Sequence, residues 1–278
     1  NGIYSPYFTL LPLLILKKKK KKIIVAVRGM LAENAIAQKQ FKKRIFLYFA
    51  QMLNLFDGVT FQASTEKEKE EVKKYFGIKA KVKIAPNLPQ KKPVKVLPQK
   101  KPAGELRLVN IARISPEKNL KYALEVLKEV KGNVVFDFYG PVYNNDYWNE
   151  CKKIIASLPA NIIADYKGSA DGNKIAEILS GYQFMFMPSL GENFGHIILE
   201  SFACGLPGII SNRTPWKNLK DSGWDISLSE KGKFKTVIEK CISMNDFEYQ
   251  KHSLSAVNLA LSVYNNPEII LRNKLLFA

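Results

Sequence analysis

The segment that decides the fold is Ser189–Trp216, SLGENFGHIILESFACGLPGIISNRTPW. Its pattern predicts a loop with two glycines, then an apolar helix over 195–204, and then a short buried strand over 208–211. Glu192 lies in the loop and Glu200 lies in the helix. Because an unpartnered carboxylate is costly to bury, Glu200 on an otherwise apolar helix indicates a binding role.

The start of that helix predicts an anion site. The first N–H groups of a helix have no partner within it, and they lie at the positive end of its dipole. Gly195 lets a ligand approach the backbone closely, next to Asn193 and Phe194. A loop that follows a strand and enters such a helix suits a phosphate group.

Outward from this segment, strands and helices alternate over 106–211, which predicts a parallel, doubly wound sheet. Ligands bind such sheets at the carboxyl ends of the strands. The predicted strands cover 106–112, 134–139, 162–166, 184–188 and 208–211. Helices are predicted between them over 120–130, 147–158, 172–180 and 195–204, and after them over 231–243, 246–263 and 267–276.

The first part of the chain has a different organisation. Residues 1–88 predict only three strands, at 23–27, 59–62 and 81–85, with helices at 35–55 and 65–76. This is an incomplete Rossmann-like domain, and we expect its N-terminal strands to lie outside this chain. The proline-rich and lysine-rich segment 89–105 is expected to be a linker. Residues 106–278 form the predicted second, complete domain with its closing helices.

Charge also divides the 278-residue chain. The net charge is +18, and residues 1–105 hold 23 Lys and Arg against 7 Asp and Glu, whereas the remainder is nearly neutral. This favours an anionic partner for the first segment: a membrane surface, a phosphorylated acceptor or nucleic acid. The apolar run at 8–16 is too short to span a bilayer and is expected to be a core or interfacial element. Three widely spaced cysteines indicate neither disulfides nor a zinc site.

The pattern E-N-F-G-x4-E-S-x-A-x-G-x-P resembles the E-x7-E motif of the retaining glycosyltransferases of family 4. The resemblance implies a GT-B type α/β fold with two Rossmann-like domains. It also implies that Glu200 holds the nucleotide ribose and that Glu192 contacts the donor sugar. The backbone between them, at Asn193, Phe194 and Gly195, would meet the sugar and phosphate.

A second match lies at Ile111–Asn119, IARISPEKN, which is similar to the family's G-R-x4-K-N segment with alanine in place of glycine. The resemblance assigns Arg113 and Lys118 to the donor diphosphate. Two fixed cations at a strand end can neutralise a leaving diphosphate. By the same resemblance Gly140, Gly168 and Ser169 border the nucleotide pocket.

These matches imply a metal-independent hexosyltransferase that moves a sugar from a nucleotide-diphosphate sugar to a glycan or lipid-linked acceptor with retention. The implied setting is bacterial cell-surface polysaccharide or lipopolysaccharide synthesis. No cofactor is expected beyond the donor itself, and no aspartate pair in a D-x-D pattern calls for a divalent metal. The expected location is the cytoplasm, with peripheral attachment to the inner face of the cell membrane as an open alternative.

Two other functions stay open, and a third is disfavoured. A sugar-nucleotide-binding protein without turnover would keep the donor site alone, and an epimerase or phosphorylase would use the same fold for other chemistry. A nucleic-acid-binding protein fits the basic segment, but the aromatic interleaving and recognition helix typical of that class are not found. We therefore expect no nucleic-acid partner.

Overall fold

The computed structural model describes residues 3–32, 35–36, 40–88 and 100–278. The chain divides into two compact units, Asn1–Leu88 with Asn266–Ala278, and Pro89–Asn265. The predicted linker, 89–105, falls largely outside the described residues. Where it is described again, Lys101 is buried and the first strand of the second unit begins at Glu105.

The first unit contains a parallel three-stranded sheet in the order β1-β2-β3. Its strands are β1 (Ile24–Ala26), β2 (Thr60–Ala63) and β3 (Lys81–Ile84), and its helices are α1 (Leu11–Lys18), α2 (Gln40–Met52) and α3 (Glu66–Phe76). A π-helical turn, Pro6–Leu10, precedes α1. The apolar run at 8–16 is therefore mostly helical, because a proline within the first turn of α1 costs no hydrogen bond there.

A buried glutamate joins two strand ends in this unit. Glu68, on α3, accepts hydrogen bonds from the backbone N–H of Gly29 after β1 and from the backbone N–H and hydroxyl of Ser64 after β2. Glu68 is only 3% exposed. Because both carboxylate oxygens are used, the loop that starts at Arg28, a non-glycine residue with a positive φ of 50°, is fixed to the sheet.

The last helix belongs to the first unit, not to the second domain as the sequence predicted. This helix (Pro267–Phe277) is called α10. Asn273 Nδ2 donates to the carbonyl of Pro86 at 2.8 Å, and Lys83 Nζ donates to the carbonyl of Leu275 at 2.6 Å. These polar contacts hold α10 against the end of β3, which periodicity alone could not reveal.

The second unit is a six-stranded parallel sheet with helices on both faces. The strands are β4 (Glu105–Ile111), β5 (Asn133–Tyr139), β6 (Ile162–Tyr166), β7 (Phe184–Met187), β8 (Gly208–Ser211) and β9 (Gly223–Ile226). The helices are α4 (Leu120–Leu127), α5 (Asn145–Ile155), α6 (Ile175–Leu179), α7 (His196–Ala203), α8 (Lys231–Ser243) and α9 (Asp246–Tyr264). The predicted strands are all present, and β9 is an additional one.

The spatial order β6-β5-β4-β7-β8-β9 is that of a Rossmann sheet. The chain starts at the centre with β4, moves outward to β6, and returns beside β4 with β7. All four residues of β7 are buried, since Phe184 and Phe186 pack into one apolar cluster and Met185 and Met187 into the other. The order reverses between β4 and β7, which is where such sheets bind ligands.

The described residues contain no helix long and apolar enough to span a membrane.

Candidate functional site

The strand order of the second unit reverses between β4 and β7, and an open parallel sheet has its crevice at such a point. Strands β4 and β7 pair only at two positions, Leu108 with Phe184 and Val109 with Met185. Beyond them the buried Asn110 donates from Nδ2 to the carbonyl of Phe186 at 2.8 Å. The side chain of Asn110 therefore joins the two strands at the point where their backbone pairing ends. The loops that follow β4 and β7 form the two walls of the crevice.

The wall after β4 is a rigid loop. Ile114 forms a bridge with Val142 of the loop after β5. A 3-10 turn, Pro116–Lys118, follows and ends at Asn119, which has a positive φ of 59°. Asn119 Nδ2 then donates to the carbonyl of Pro188 on the opposite wall at 2.9 Å. The turn is thus tied to the loop after β7, and it presents Lys118 to that loop.

Lys118 and Glu192, both predicted site residues, are in contact across the crevice. The distance from Lys118 Nζ to Glu192 Oε1 is 2.5 Å, and the side chains are 18% and 10% exposed. The backbone N–H of Leu190 also donates to the carbonyl of Glu117 at 2.9 Å. Two segments that are more than seventy residues apart in sequence therefore form one charged site. A pair this far from water is weakly screened, so it responds strongly to an added charge.

Arg113 lies nearer the solvent. Its Nη2 atom is 3.2 Å from Glu117 Oε1, and its side chain is 48% exposed. The guanidinium also lies over the ring of Tyr143, 5.1 Å from the centroid. A half-exposed ion pair of this kind contributes little to stability, so Arg113 can exchange its partner for a ligand at low cost.

The start of α7 is shaped by Gly195 and Trp216. Gly195 has φ of 75°, and a Cβ there would lie 2.9 Å from Ile198 Cδ1 and 3.2 Å from Trp216 Nε1. Trp216 Nε1 donates to the carbonyl of Phe194 at 2.6 Å, and the rings of Phe194 and Trp216 meet edge to face. Trp216 therefore positions the predicted anion site. Asn193 lies in the same loop and is half-buried.

Glu200 lies on α7, one turn before the helix ends. The thiol of Cys204 and the phenol of Tyr264 are near its carboxylate. Burial raises the pKa of Cys204 to about 11, and the negative charge of Glu200 adds to this rise. Burial also raises the pKa of Tyr264, again with a contribution from Glu200.

The two predicted pocket glycines meet at the ends of β5 and β6. The backbone N–H of Gly140 donates to the carbonyl of Gly168 at 2.8 Å. The hydroxyl of Tyr166 donates to the carbonyl of Gly140 at 2.8 Å. Ser169 is exposed next to Gly168. These residues lie along the same carboxyl edge of the sheet as Arg113 and Glu192.

Sequence reasoning missed some residues that hold the site. Asn119 was seen only as the end of a motif, although asparagine in a left-handed conformation before a helix is a recognisable signal. Ser189 was not singled out. Its hydroxyl is buried and has no hydrogen-bond partner among the described residues, and its carbonyl accepts from Ser211 Oγ at 2.5 Å. No described group of three or more His, Cys, Asp or Glu side chains could hold a metal ion.

Residues 92–219, which contain most of this site, match the family model for glycosyl transferases group 1. No curated protein matches the sequence.

Solved structures resemble the chain over most of its length. HepE of Anabaena in complex with UDP and glucose has a TM-score of 0.73 and 15% identity, covering 95% of this chain and 73% of that one. Sucrose-phosphate synthase from Thermosynechococcus elongatus has a TM-score of 0.73 and 12% identity, covering 96% and 71%. TarM of S. aureus, in complex with fondaparinux, alpha-GlcNAc-glycerol and UDP, has a TM-score of 0.63 and 16% identity, covering 78% of this chain. The chain spans only 43% of TarM.

The likenesses show the fold, and they agree with the Rossmann strand order of the second unit. The chain has the GT-B fold of glycosyltransferases, with two Rossmann-like domains and a C-terminal helical part.

Proposed function

We propose that this protein transfers a sugar from a nucleotide-diphosphate sugar to an acceptor, and that the donor binds between β4 and β7 of the second unit. The observation that carries the proposal is the contact between Lys118 and Glu192 at 2.5 Å. It brings a cation for a phosphate and a carboxylate for a sugar to one point, next to the start of α7. A transfer reaction needs both groups there.

In this proposal the diphosphate binds to Lys118, Arg113 and the N–H groups at the start of α7. The bond from the sugar to the diphosphate breaks during transfer, so negative charge grows on the leaving oxygen. Fixed cations and a helix start stabilise that charge more in the transition state than in the ground state. We therefore expect a metal-independent reaction, in which the chain's own cations supply the neutralisation.

Glu192 would contact the donor sugar and Glu200 the ribose hydroxyls, as the E-x7-E resemblance implies. The same resemblance implies retention of configuration at the anomeric carbon. The nucleotide would lie along the strand ends towards Gly140, Gly168 and Ser169. Carboxylates suit these roles because each oxygen can accept hydrogen bonds from two neighbouring hydroxyl groups.

For the nucleotide we propose uridine diphosphate, and for the acceptor a glycan or a lipid-linked glycan of a bacterial cell surface. UDP is present in the complexes of HepE and TarM, and alpha-GlcNAc-glycerol is present in that of TarM. The basic first segment, which would serve the acceptor, favours an acceptor that carries phosphate or lies at an anionic surface.

The first test is thermal unfolding with UDP, GDP and ADP and their glucose conjugates. All three tryptophans lie in the second unit, so their fluorescence reports on the unit that holds the site. A nucleotide at about 100 times its Kd adds about 2.7 kcal/mol of stability. At about 2–4 °C per kcal/mol the melting temperature should rise by several degrees.

Variants locate the binding. Arg113→Ala and Glu200→Ala, singly and together, should reduce the shift given by the preferred nucleotide. Lys121→Ala is the matched control, since Lys121 lies three residues after Lys118 and its pair with Glu150 is exposed to solvent. If no nucleotide shifts the melting of the folded protein, the donor site does not exist.

Glu192→Gln separates binding from transfer. In the free protein Glu192 competes with the diphosphate for Lys118, so the neutral variant should bind UDP several-fold more tightly. It should also release sugar from UDP-glucose more slowly, because the carboxylate is proposed to contact that sugar. Tighter binding of UDP with unchanged sugar release would contradict the proposed role of Glu192. Binding of UDP without any sugar release by the unsubstituted protein would indicate a binding protein without turnover.

A further inference from the structure

Tyr143, in the loop after β5, is an exposed aromatic residue at the edge of the candidate site. It is 66% exposed, and the proposed function gives its ring no role. The guanidinium of Arg113 lies over that ring, 5.1 Å from the ring centroid. Tyr143 is therefore the direct neighbour of a residue that is proposed to bind the diphosphate.

The loop that carries Tyr143 is fixed to the loop that carries Arg113. Ile114 follows Arg113, and its N–H donates to the carbonyl of Pro141 at 2.9 Å. The carbonyl of Ile114 accepts from the N–H of Tyr143 at 3.1 Å. On the other side of Tyr143 along the chain, Asn144 caps α5 with its side chain. The backbone around Tyr143 is therefore held on both sides, and the ring stays next to Arg113.

The guanidinium of Arg113 has two partners that make different demands on it. Nη2 lies 3.2 Å from Glu117 Oε1, and this ion pair uses the N–H donors of the guanidinium. The ring of Tyr143 attracts the cation through its π electrons, an interaction that does not need those donors. An anion can therefore replace Glu117 at the donors while the contact with Tyr143 remains.

Such an exchange would otherwise free the side chain of Arg113, which is long and 48% exposed. A guanidinium that has released Glu117 and has no second partner turns into the solvent. Ordering it again on a ligand costs conformational entropy. The contact with Tyr143 limits this movement before the ligand arrives, and a side chain that is ordered in advance binds its ligand more tightly.

We propose that Tyr143 is a positioning residue for the donor diphosphate. Its ring holds Arg113 in place while the guanidinium exchanges Glu117 for phosphate oxygens. The inference rests on the proposed function, because the ligand of Arg113 is the diphosphate of the donor. Tyr143 contacts Arg113 and not the nucleoside, so its ring affects only ligands that carry phosphate.

The first test is the affinity of variants for UDP, measured by tryptophan fluorescence at high salt, where attraction to the exposed basic segment is weak. Tyr143→Leu should bind UDP about two- to fivefold more weakly, the loss expected for one exposed contact between a cation and an aromatic ring. Tyr143→Phe should bind as the wild type does, because the ring and not the hydroxyl makes the contact. The matched control is Phe247→Leu, which removes a residue that is 86% exposed on α9 of the same unit and should leave the affinity unchanged.

A double-mutant cycle tests whether Tyr143 acts through Arg113. Arg113→Gln removes the charge and keeps a polar side chain. In that background Tyr143→Leu should have no further effect, so the double variant should bind UDP with the affinity of Arg113→Gln alone. Equal losses from Tyr143→Leu in both backgrounds would show that the ring acts independently of Arg113 and would overturn the proposal.

Two fragments of UDP separate positioning from stacking and from stability. Pyrophosphate, which reaches Arg113 without a base, should bind Tyr143→Leu more weakly than the wild type, by about the same factor as UDP. Uridine, which lacks the phosphates, should bind both proteins equally. If uridine alone is weakened, the ring stacks on the base and the positioning role is wrong. If both fragments are weakened and the urea midpoint of the second unit falls, Tyr143 supports the fold only, which also contradicts the proposal.

The behaviour of the wild type keeps this inference apart from the donor site itself. If the folded wild type binds no nucleotide, the proposed function and the positioning role both fail. If the wild type binds UDP and Tyr143→Leu binds it equally well, the positioning role alone fails.

Discussion

Gly140 makes a close contact that alanine would break. A Cβ at Gly140 would lie 2.0 Å from the carbonyl oxygen of Ala112, where real Cβ contacts stay beyond 3.0 Å. Its φ of 144° is also one that residues with a side chain rarely adopt, which costs about 1–3 kcal/mol. The end of β4 is not free to move away from the added Cβ, because the N–H of Ala112 donates to the carbonyl of Tyr139 at 2.9 Å. Moving the strand end would break that bond, at about 1 kcal/mol or more.

We therefore expect Gly140→Ala to lower the free energy of unfolding by about 4 kcal/mol, which is exceptional for one substitution. Gly168→Ala is the matched control. Gly168 lies at the next strand end with φ of 76° and nothing within 4 Å of its would-be Cβ. Only the backbone cost applies there, about 1–2 kcal/mol.

Urea unfolding followed by tryptophan fluorescence measures the second unit alone, since all three tryptophans lie in it. With a slope of roughly 2 kcal/mol per molar urea, a gap of about 2 kcal/mol between the variants separates their midpoints by about 1 M. Equal midpoints for the two variants would refute the close approach of the β4 and β5 ends on which the site geometry depends.

Three further substitutions test single contacts. Trp216→Phe keeps a ring but leaves the carbonyl of Phe194 without its donor, so calorimetry should show about 1–3 kcal/mol lower stability and a smaller nucleotide shift. Burial lowers the pKa of Lys101 below 10.5, so the folded protein binds this proton less tightly than the unfolded chain does. The contribution of neutral Lys101 to stability is therefore complete above pH 10.5 and is lost as the pH falls through the folded-state pKa. Compared with Lys101→Met, the wild type should gain stability as the pH rises through this alkaline range. Glu68→Gln turns an amide NH₂ towards a backbone donor such as Gly29, and circular dichroism should show the first unit destabilised by about 1–3 kcal/mol.

The fold of the second unit could be predicted because its local signals agree. Strands such as Phe184–Met187 are short apolar runs, and helices with clear periodicity lie between them. The sequence did not predict strand β9, Gly223–Ile226. Its four residues begin with glycine and include Asp225, so they show no alternation of apolar and polar residues. Its pairing with β8 supplies the missing information, and that pairing is not local. The last helix was predicted with nearly correct bounds but assigned to the wrong unit for the same reason.

The site shows the same limit. The motifs predict Arg113, Lys118, Glu192 and Glu200 as site residues and leave their contacts open. The pairing of Lys118 with Glu192 could not be predicted, because it depends on Asn119 and the bond from its side chain to the opposite wall. Spacing along a chain locates residues at the end of a strand, but the contact between two loops is decided by the backbone that joins them.

The uneven charge sets a condition on any binding measurement. Residues 1–105 carry most of the net charge of +18, so they attract any diphosphate without regard to its base. The charges that cause this attraction are exposed to solvent, so the attraction should weaken at high salt. The charge of the half-buried Lys118 is screened less, so binding at Lys118 should depend less on salt. Pyrophosphate separates the two, since it has the charge and lacks the nucleoside. A thermal shift that pyrophosphate reproduces and salt removes belongs to the basic segment. A shift that needs the base, survives salt and appears in the tryptophan signal belongs to the crevice between β4 and β7.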